Sequence, residues 1–281
     1  MNSRQDKITV TLGFSPCPND TFMFDALVNN RIDTEGIHFE FVMEDVETLN
    51  RKAFNAELDI TKLSFYAFSH LTDSYSLLNS GSALGRGCGP LVIAKDPNQD
   101  LSKARIGIPG KYTTAHFLFN LFSPQSSNKA EMLFSEIEDA ILKSTIDAGV
   151  IIHENRFTYA EKGLQKIVDL GDFWEKQTNL PIPLGGIVIK RNLPLALKLQ
   201  IDRLLKKSIE YAFENPAESL SFCKANAQEM DEKVMQSHIA LYVNEFSLNL
   251  GPQGKAAIDH LFEKARTLNL LPEINENIYT S

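Results

Sequence analysis

With 281 residues, of which 43% are hydrophobic and 23% charged, the chain has the balance of a folded globular protein and enough apolar material for one large domain or two lobes. A formal charge of -8, with no run of lysine or arginine able to follow a phosphate backbone, argues against nucleic acid as a partner. The first residues lack the layout of a secretory signal, and no apolar run nears the roughly 20 residues that span a bilayer, so a cytoplasmic protein without membrane insertion is expected.

Ile8, Val10 and Leu12 alternate with Thr9 and Thr11, which predicts a strand ending at the turn-rich "SPCPND". Asn19 or Asp20 is positioned to cap a helix through "TFMFDALVNN". The order of strand, tight turn and helix recurs in "IHFEFVM" with "VETLNRKAFNAE" and in "DITKLSF" with "YAFSHLTD". Strands separated by single helices predict parallel pairing in an α/β sheet. After the strand-like "GPLVIAKDP", a second series opens with "ARIGIPG" and helical "TTAHFLFNLF". It continues through a helix over "SEIEDAILKSTIDA", with Gly149 as its C-cap, to "GVIIHENRF", a buried strand that runs straight into His153. "GGIVIKRN" closes this series, and from Leu193 to about residue 269 the pattern is almost unbroken helix. "GDFWEKQTNLPIPLG", which holds the single tryptophan, has no clear assignment and fits either a lid or packed irregular chain.

The change from mixed α/β to all-helical pattern near residue 190 is met by a chain that crosses into a second lobe near Asp96 and returns near Lys190. Lobe 1 then combines 1–95 with 190–281, and lobe 2 is 96–189. Ligands of open parallel sheets bind outside the carboxyl ends of the strands. "SPCPND", "TKLS", "GKYTTA" and "HEN" occupy that position, two in each lobe, so a cleft between lobes gathers all four.

"GKYTTA" opens a helix, where unpaired backbone N–H groups and the helix dipole favour an anion, with Thr113, Thr114 and Lys111 at hand. A threonine that merely caps the helix explains the same residues. Lys62 and Ser64 in "TKLS" also read as a surface lysine beside a buried serine. The glycines of "GSALGRGCGP" lack the Gly-Lys-Ser/Thr ending of a P-loop and point to backbone in close approach, with Arg86 as the member best suited to an anion. His153, with an ordinary pKa of about 6.5, is a usable base at the mouth of this cleft. If its strand runs one residue further, Glu154 faces away from the ring. No histidine pair has metal-ligand spacing, no G-x-S-x-G elbow occurs, and Cys17, Cys88 and Cys223 fit neither a disulfide framework nor a zinc pattern.

Six stretches, "SPCPNDTFMFDAL", "DVETLN", "DITKLSFYA", "LLNSGSALGRGCGPL", "GKYTTA" and "VIIHENRFTY", together resemble the MqnD family, the 1,4-dihydroxy-6-naphthoate synthases of menaquinone biosynthesis by the futalosine pathway. The likeness covers the first 160 residues or so and weakens through "LPIPLGGIVIKR". It implies the type II periplasmic-binding-protein-like fold, two α/β lobes with a central cleft and a helical C-terminal region. It also implies a carbon–carbon lyase that converts cyclic dehypoxanthinyl futalosine, a small anionic substrate, to 1,4-dihydroxy-6-naphthoate with no metal or other cofactor. The family's general base carries over to His153, and its substrate contacts to Lys62, Leu63, Ser64, Thr114 and Ala115. Thr113, Asn19, Asp20 and Arg86 join them by position alone. A cytoplasmic solute-binding protein of the same fold without catalysis is the alternative, and a ligand-sensing domain is disfavoured by the lack of a helix-turn-helix before the first strand. Oligomeric state is not legible.

Overall fold

The computed structural model describes residues 8–227, 231–271 and 277–280. In chain order the elements are β1 (Ile8–Phe14), α1 (Pro18–Val28), β2 (Ile37–Met43), α2 (Val46–Phe54), β3 (Ile60–Ser64), α3 (Phe65–Ser69), β4 (Tyr75–Leu77) and β5 (Ala83–Gly85). There follow β6 (Leu91–Ala94), β7 (Ile106–Ile108), α4 (Thr114–Phe122), β8 (Lys129–Glu131), α5 (Ile137–Leu142), β9 (Ala148–Ile151), α6 (Asn155–Thr158), β10 (Gln165–Asp169) and α7 (Leu170–Thr178). The last elements are β11 (Ile182–Lys190), α8 (Leu195–Glu214), α9 (Pro216–Asn226), α10 (Glu232–Tyr242), α11 (Glu245–Leu248) and α12 (Gly251–Thr267). Among the described residues no helix is long and apolar enough to cross a membrane.

Two sheets result. The first runs β2-β1-β3-β11-β4, with β5 also paired to β11, and the second runs β10-β6-β9-β7-β8. β1 lies parallel to β2 and β3, and β7 lies parallel to β8 and β9, as strand–helix–strand units require. Neither sheet is wholly parallel, however. β11 is antiparallel to β3, β4 and β5, and β6 is antiparallel to β9 and β10. These are the strands on which the chain passes from one sheet to the other, and each runs against the direction of its neighbours. Both lie outside the sequence-based boundaries: β6 belongs to the second sheet and β11 to the first, so the limits at 95/96 and 189/190 each fall one strand late.

The glycine-rich stretch is the outgoing crossing. A Cβ on Gly89 would stand 2.2 Å from the backbone nitrogen of Gly171, so the outgoing chain and the start of α7 touch backbone to backbone. The structural reading of these glycines holds. The segment around Trp174, left open between lid and irregular chain, is instead α7 followed by β11. Trp174 is 2% exposed and donates Nε1–H to Pro181 O at 3.1 Å, which makes it an anchor of the core.

Local chemistry explains the other departures from the sequence reading. α1 starts at Pro18, whose fixed φ suits a first helical position, so the N-cap is Cys17 and neither Asn19 nor Asp20 caps the helix. Gly149 lies inside β9, not at a helix end; a Cβ there would meet Ile137 Cγ2 at 2.3 Å, and α5 stops seven residues earlier at Leu142. Among the described residues the C-terminal region is five helices rather than one, of which α8 and α9 pack on α1. One apolar cluster runs from Phe65 and Leu63 through Phe117, Val92 and Trp174 to Ile258 and spans both sheets, while separate clusters pack β1 with α1 and α8 and β9 with α5.

Candidate active site

The cavity between the sheets has an empty volume of about 580 Å³, its mouth and the adjoining solvent included. Asn19, Lys62, Leu63, Ser64, Thr113, Thr114, Ala115 and His153 line it, joined by Val46, Ala83, Cys88, Pro90, Ile152, Leu184, Gly185 and Tyr242.

The wall contributed by β1, α1 and β3 is dense with hydrogen bonds. Asp20 is fully buried in the first turn of α1, where the helix dipole favours its charge. It accepts from Ser15 N–H (3.0 Å), Ser15 Oγ (2.8 Å), Asn19 Nδ2 (2.7 Å) and the Lys62 ammonium. Lys62 is therefore buried, 7% exposed, and not the surface lysine that its position on an alternating strand allowed. Ser64 donates its N–H to Asn50 Oδ1 at 3.0 Å, and Asn50 in turn donates to Glu47 Oε2 at 3.2 Å. Asn19 Oδ1 is buried with no hydrogen-bond partner and belongs to the cavity wall.

Opposite lies the N-terminus of α4. Thr113 is its N-cap, accepting His116 N–H at 3.2 Å and donating to Gly110 O at 2.8 Å. Thr114 donates to Leu184 O at 2.7 Å and accepts Tyr66 N–H at 3.2 Å, tying α4 to β11 and α3. Both hydroxyls are thus engaged, and the capping role of Thr113 is real. What the helix offers the cavity is backbone: the N–H groups of Thr114 and Ala115 have no acceptor within the helix. Burial of Glu47 raises its pKa, and its carboxylate accepts Tyr112 N–H at 3.2 and 3.3 Å. Arg51 meets Glu131 at 2.6 Å, and the Phe54 ring packs tilted against Tyr112 at 4.5 Å between centroids, so the lobes are drawn together along this edge.

His153 follows β9 in a left-handed conformation, φ 59°. The strand ends at Ile151, and the turn sends the chain into α6 rather than onward. The expectation that Glu154 faces away from the ring is overturned: ligand atoms of Cys17, His153 and Glu154 all lie within 4.8 Å of one another. The left-handed turn places successive side chains on one side, which an extended strand does not allow. The ring meets Phe134 edge-on at 4.8 Å and His238 at 6.2 Å between centroids, and its Nε2 is buried without a partner. Burial, helped by the charge of Lys62, lowers its pKa from 6.5 to about 4. The imidazole is therefore neutral at neutral pH and able to accept a proton.

Cys17, His153 and Glu154 form the one group of three metal-capable side chains among the described residues. Burial pushes the Cys17 thiol well above its ordinary range, and the Lys62 ammonium acts on both Cys17 and His153. A protonated thiol beside a fixed cation suits proton transfer better than cation binding. Arg86 stands apart from the cavity. Its Nη2 donates to Asn179 O at 2.9 Å, and Nη1 lies 3.5 Å from Glu175, which also accepts Gly87 N–H at 2.8 Å. Arg86 thus clasps the two crossing segments, a role that glycine content beside an arginine does not disclose. Sequence reading missed Tyr242 on α10 and the cavity face of Cys88, and it did not foresee that Cys17 and His238 pack beside His153. The i, i+4 spacing of His238 and Tyr242 was the available signal for a shared helix face, but nothing in it marks which face meets a ligand.

A family model described as menaquinone biosynthesis matches residues 10–267. The chain belongs to this family. It is 45% identical over 259 residues, 92% of this chain and 94% of the relative, to a 1,4-dihydroxy-6-naphthoate synthase of Thermus thermophilus. It is 38% identical over 271 residues, 95% of this chain and 96% of the relative, to the protein of that name from Streptomyces coelicolor. Both relatives are named as enzymes, and this member of the family is an enzyme. A crystal structure of an Archaeoglobus fulgidus protein superposes with a TM-score of 0.90 at 36% identity, covering 96% of this chain and all of that one. An alkanesulfonate-binding protein of Xanthomonas axonopodis shares the fold at 12% identity, TM-score 0.73, with 94% of both chains covered. The fold is thus periplasmic-binding-protein-like, two α/β lobes about a cleft.

Proposed function

We propose that the protein is a carbon–carbon lyase that converts cyclic dehypoxanthinyl futalosine to 1,4-dihydroxy-6-naphthoate, with His153 as general base. The observation that carries this reading is a neutral imidazole on the wall of the cavity, its pKa held near 4 by burial and by Lys62. Curated relatives named for that product support it.

The substrate carboxylate meets the N–H groups of Thr114 and Ala115 and the ammonium of Lys62, which offset the overall charge of -8 locally. Asn19 Oδ1 accepts a substrate hydroxyl. An anion held beside His153 raises the ring's proton affinity, so the base strengthens as the substrate binds. The imidazole then takes a proton from the carbohydrate portion, the electron pair left behind breaks the bond to the ring system, and aromatisation draws the step forward. A positioned base contributes on the order of 10² to 10⁴ in rate, and the closed lobes supply orientation and exclusion of water.

His153→Ala is expected to leave a folded protein that binds the cyclic substrate while turnover falls by about 10² or more. Failure of the wild-type protein to convert that substrate, or conversion by the alanine variant at the wild-type rate, overturns the reading. Binding without any turnover by the wild type would identify a solute-binding protein instead.

A further inference from the structure

His238, on α10, is fully buried, and neither of its ring nitrogens has a hydrogen-bond partner. Buried polar groups are nearly always satisfied, and an apolar side chain would fill the place with less loss of stability. Its neighbours are rings: Tyr242 at 4.5 Å, His153 at 6.2 Å and Phe157 at 6.5 Å between centroids. Two facing imidazoles, each with an unsatisfied buried nitrogen, meet where α10 closes over the end of β9. Imidazole nitrogens lie about 1.1 Å from the ring centre, so at 6.2 Å between centroids no nitrogen pair comes nearer than about 4 Å, which excludes a direct hydrogen bond and leaves a bridging oxygen as the way to couple the rings.

We propose that His238 is the positioning residue of His153: through one bridging oxygen it accepts the proton of His153 Nε2, which fixes the tautomer that turns the Nδ1 lone pair to the cavity. Tyr242, one turn along α10, lines the cavity and packs on His238, so both act from one helix face. The charges that act on the pair are Lys62 of β3, Asp20 of α1 and Asp45, the N-cap of α2. Lys62 disfavours a second proton on either ring. A metal-ligating histidine is held to one tautomer by the same device, where loss of the outer partner reduces activity about 10- to 100-fold. The kinetic part of this inference rests on the proposed reaction; the tautomer part does not.

The test uses the full chain labelled with ¹⁵N-histidine, with His153 signals assigned through His153→Gln. The wild type is expected to show His153 as a single neutral tautomer protonated at Nε2. Seen without substrate, this makes water the bridging oxygen; seen only after substrate is added, it makes the bridge a substrate hydroxyl. In His238→Phe both tautomers should appear, kcat should fall about 10- to 100-fold, and KM should stay within about threefold. His238→Gln, which keeps a polar atom near the ring Nε2 position, should recover part of kcat. Should the phenylalanine variant not fold, His238→Leu makes the same removal at smaller volume. A mixed tautomer in the wild type with and without substrate, an unchanged kcat in the apolar variants, or a rise in KM alone overturns the inference. Absence of turnover in the wild type would instead defeat the reaction while leaving the tautomer result to stand.

Discussion

Two parts of the cleft wall differ in how their polar groups are used. Around Asp20, four donors converge on one carboxylate, and the lysine that completes the set is as buried as its neighbours. Around His153 and His238, three ring nitrogens are buried with no partner at all. The first arrangement is complete without a ligand and holds its geometry; the second leaves hydrogen-bonding capacity open, as the proposed proton transfer requires. A site that needs one fixed charge and one mobile proton is served by such a division, because the rigid half sets the field in which the other half titrates.

The largest structural effect should come from disturbing the complete half. Asp20→Ala leaves the Lys62 ammonium buried with no carboxylate and is expected to lower unfolding free energy by about 3–5 kcal/mol, read from urea or guanidinium midpoints. A loss under about 1 kcal/mol would mean that this half is not the rigid one.

Next comes pH. The folded-state pKa of His153, about 4, lies below the ordinary 6.5, so between these values the unfolded chain binds more protons than the folded one. Stability from this residue is present above pH 6.5 and is lost as pH falls towards 4, and that slope should shrink in His153→Gln. With His153 as the proposed base, the acid limb of kcat/KM should lie well below 6.5, since its imidazole stays neutral until then. An acid limb at 6.5 would show an imidazole in contact with water.

In the incomplete half, an apolar residue at 238 should raise the thermal midpoint while reducing kcat, the opposite of what a structural histidine would do. Glu47→Ala removes the acceptor of Tyr112 N–H and should enlarge the radius of gyration of the free protein in solution scattering, with substrate reversing the change. The smallest effect belongs to Arg86→Gln. Its guanidinium is about half exposed and clasps Asn179 and Glu175, so turnover should change less than about threefold and stability by about 1 kcal/mol or less.

How much of this was legible in the chain can be followed residue by residue. The alternation of Val10 and Leu12 with threonines marked β1, and the β-branched run before His153 marked β9, because one-sided or complete burial leaves a period in the sequence. Lys62, Ser64, Thr113 and Thr114 were placed together by a rule about strand ends, and they do line one cavity. Arg86, singled out from the glycine-rich stretch, lies off that cavity, since glycines that let two backbones touch look like glycines that admit a phosphate. The strands β6 and β11 were assigned to the wrong sides because periodicity reports burial and carries no information about which sheet does the burying.

Local pattern by itself determined the α/β class, the order of strands and helices, and a histidine at the end of a buried strand, all of which depend on neighbours a few residues away. Tertiary structure alone decided that Lys62 is buried against Asp20, that His153 turns through a left-handed conformation towards Cys17 and Glu154, and that His238 arrives from 85 positions further on to face it. Burial and charge pairing set a side chain's protonation and reach, and both arise from contacts between segments distant in the chain, which no short window of sequence contains.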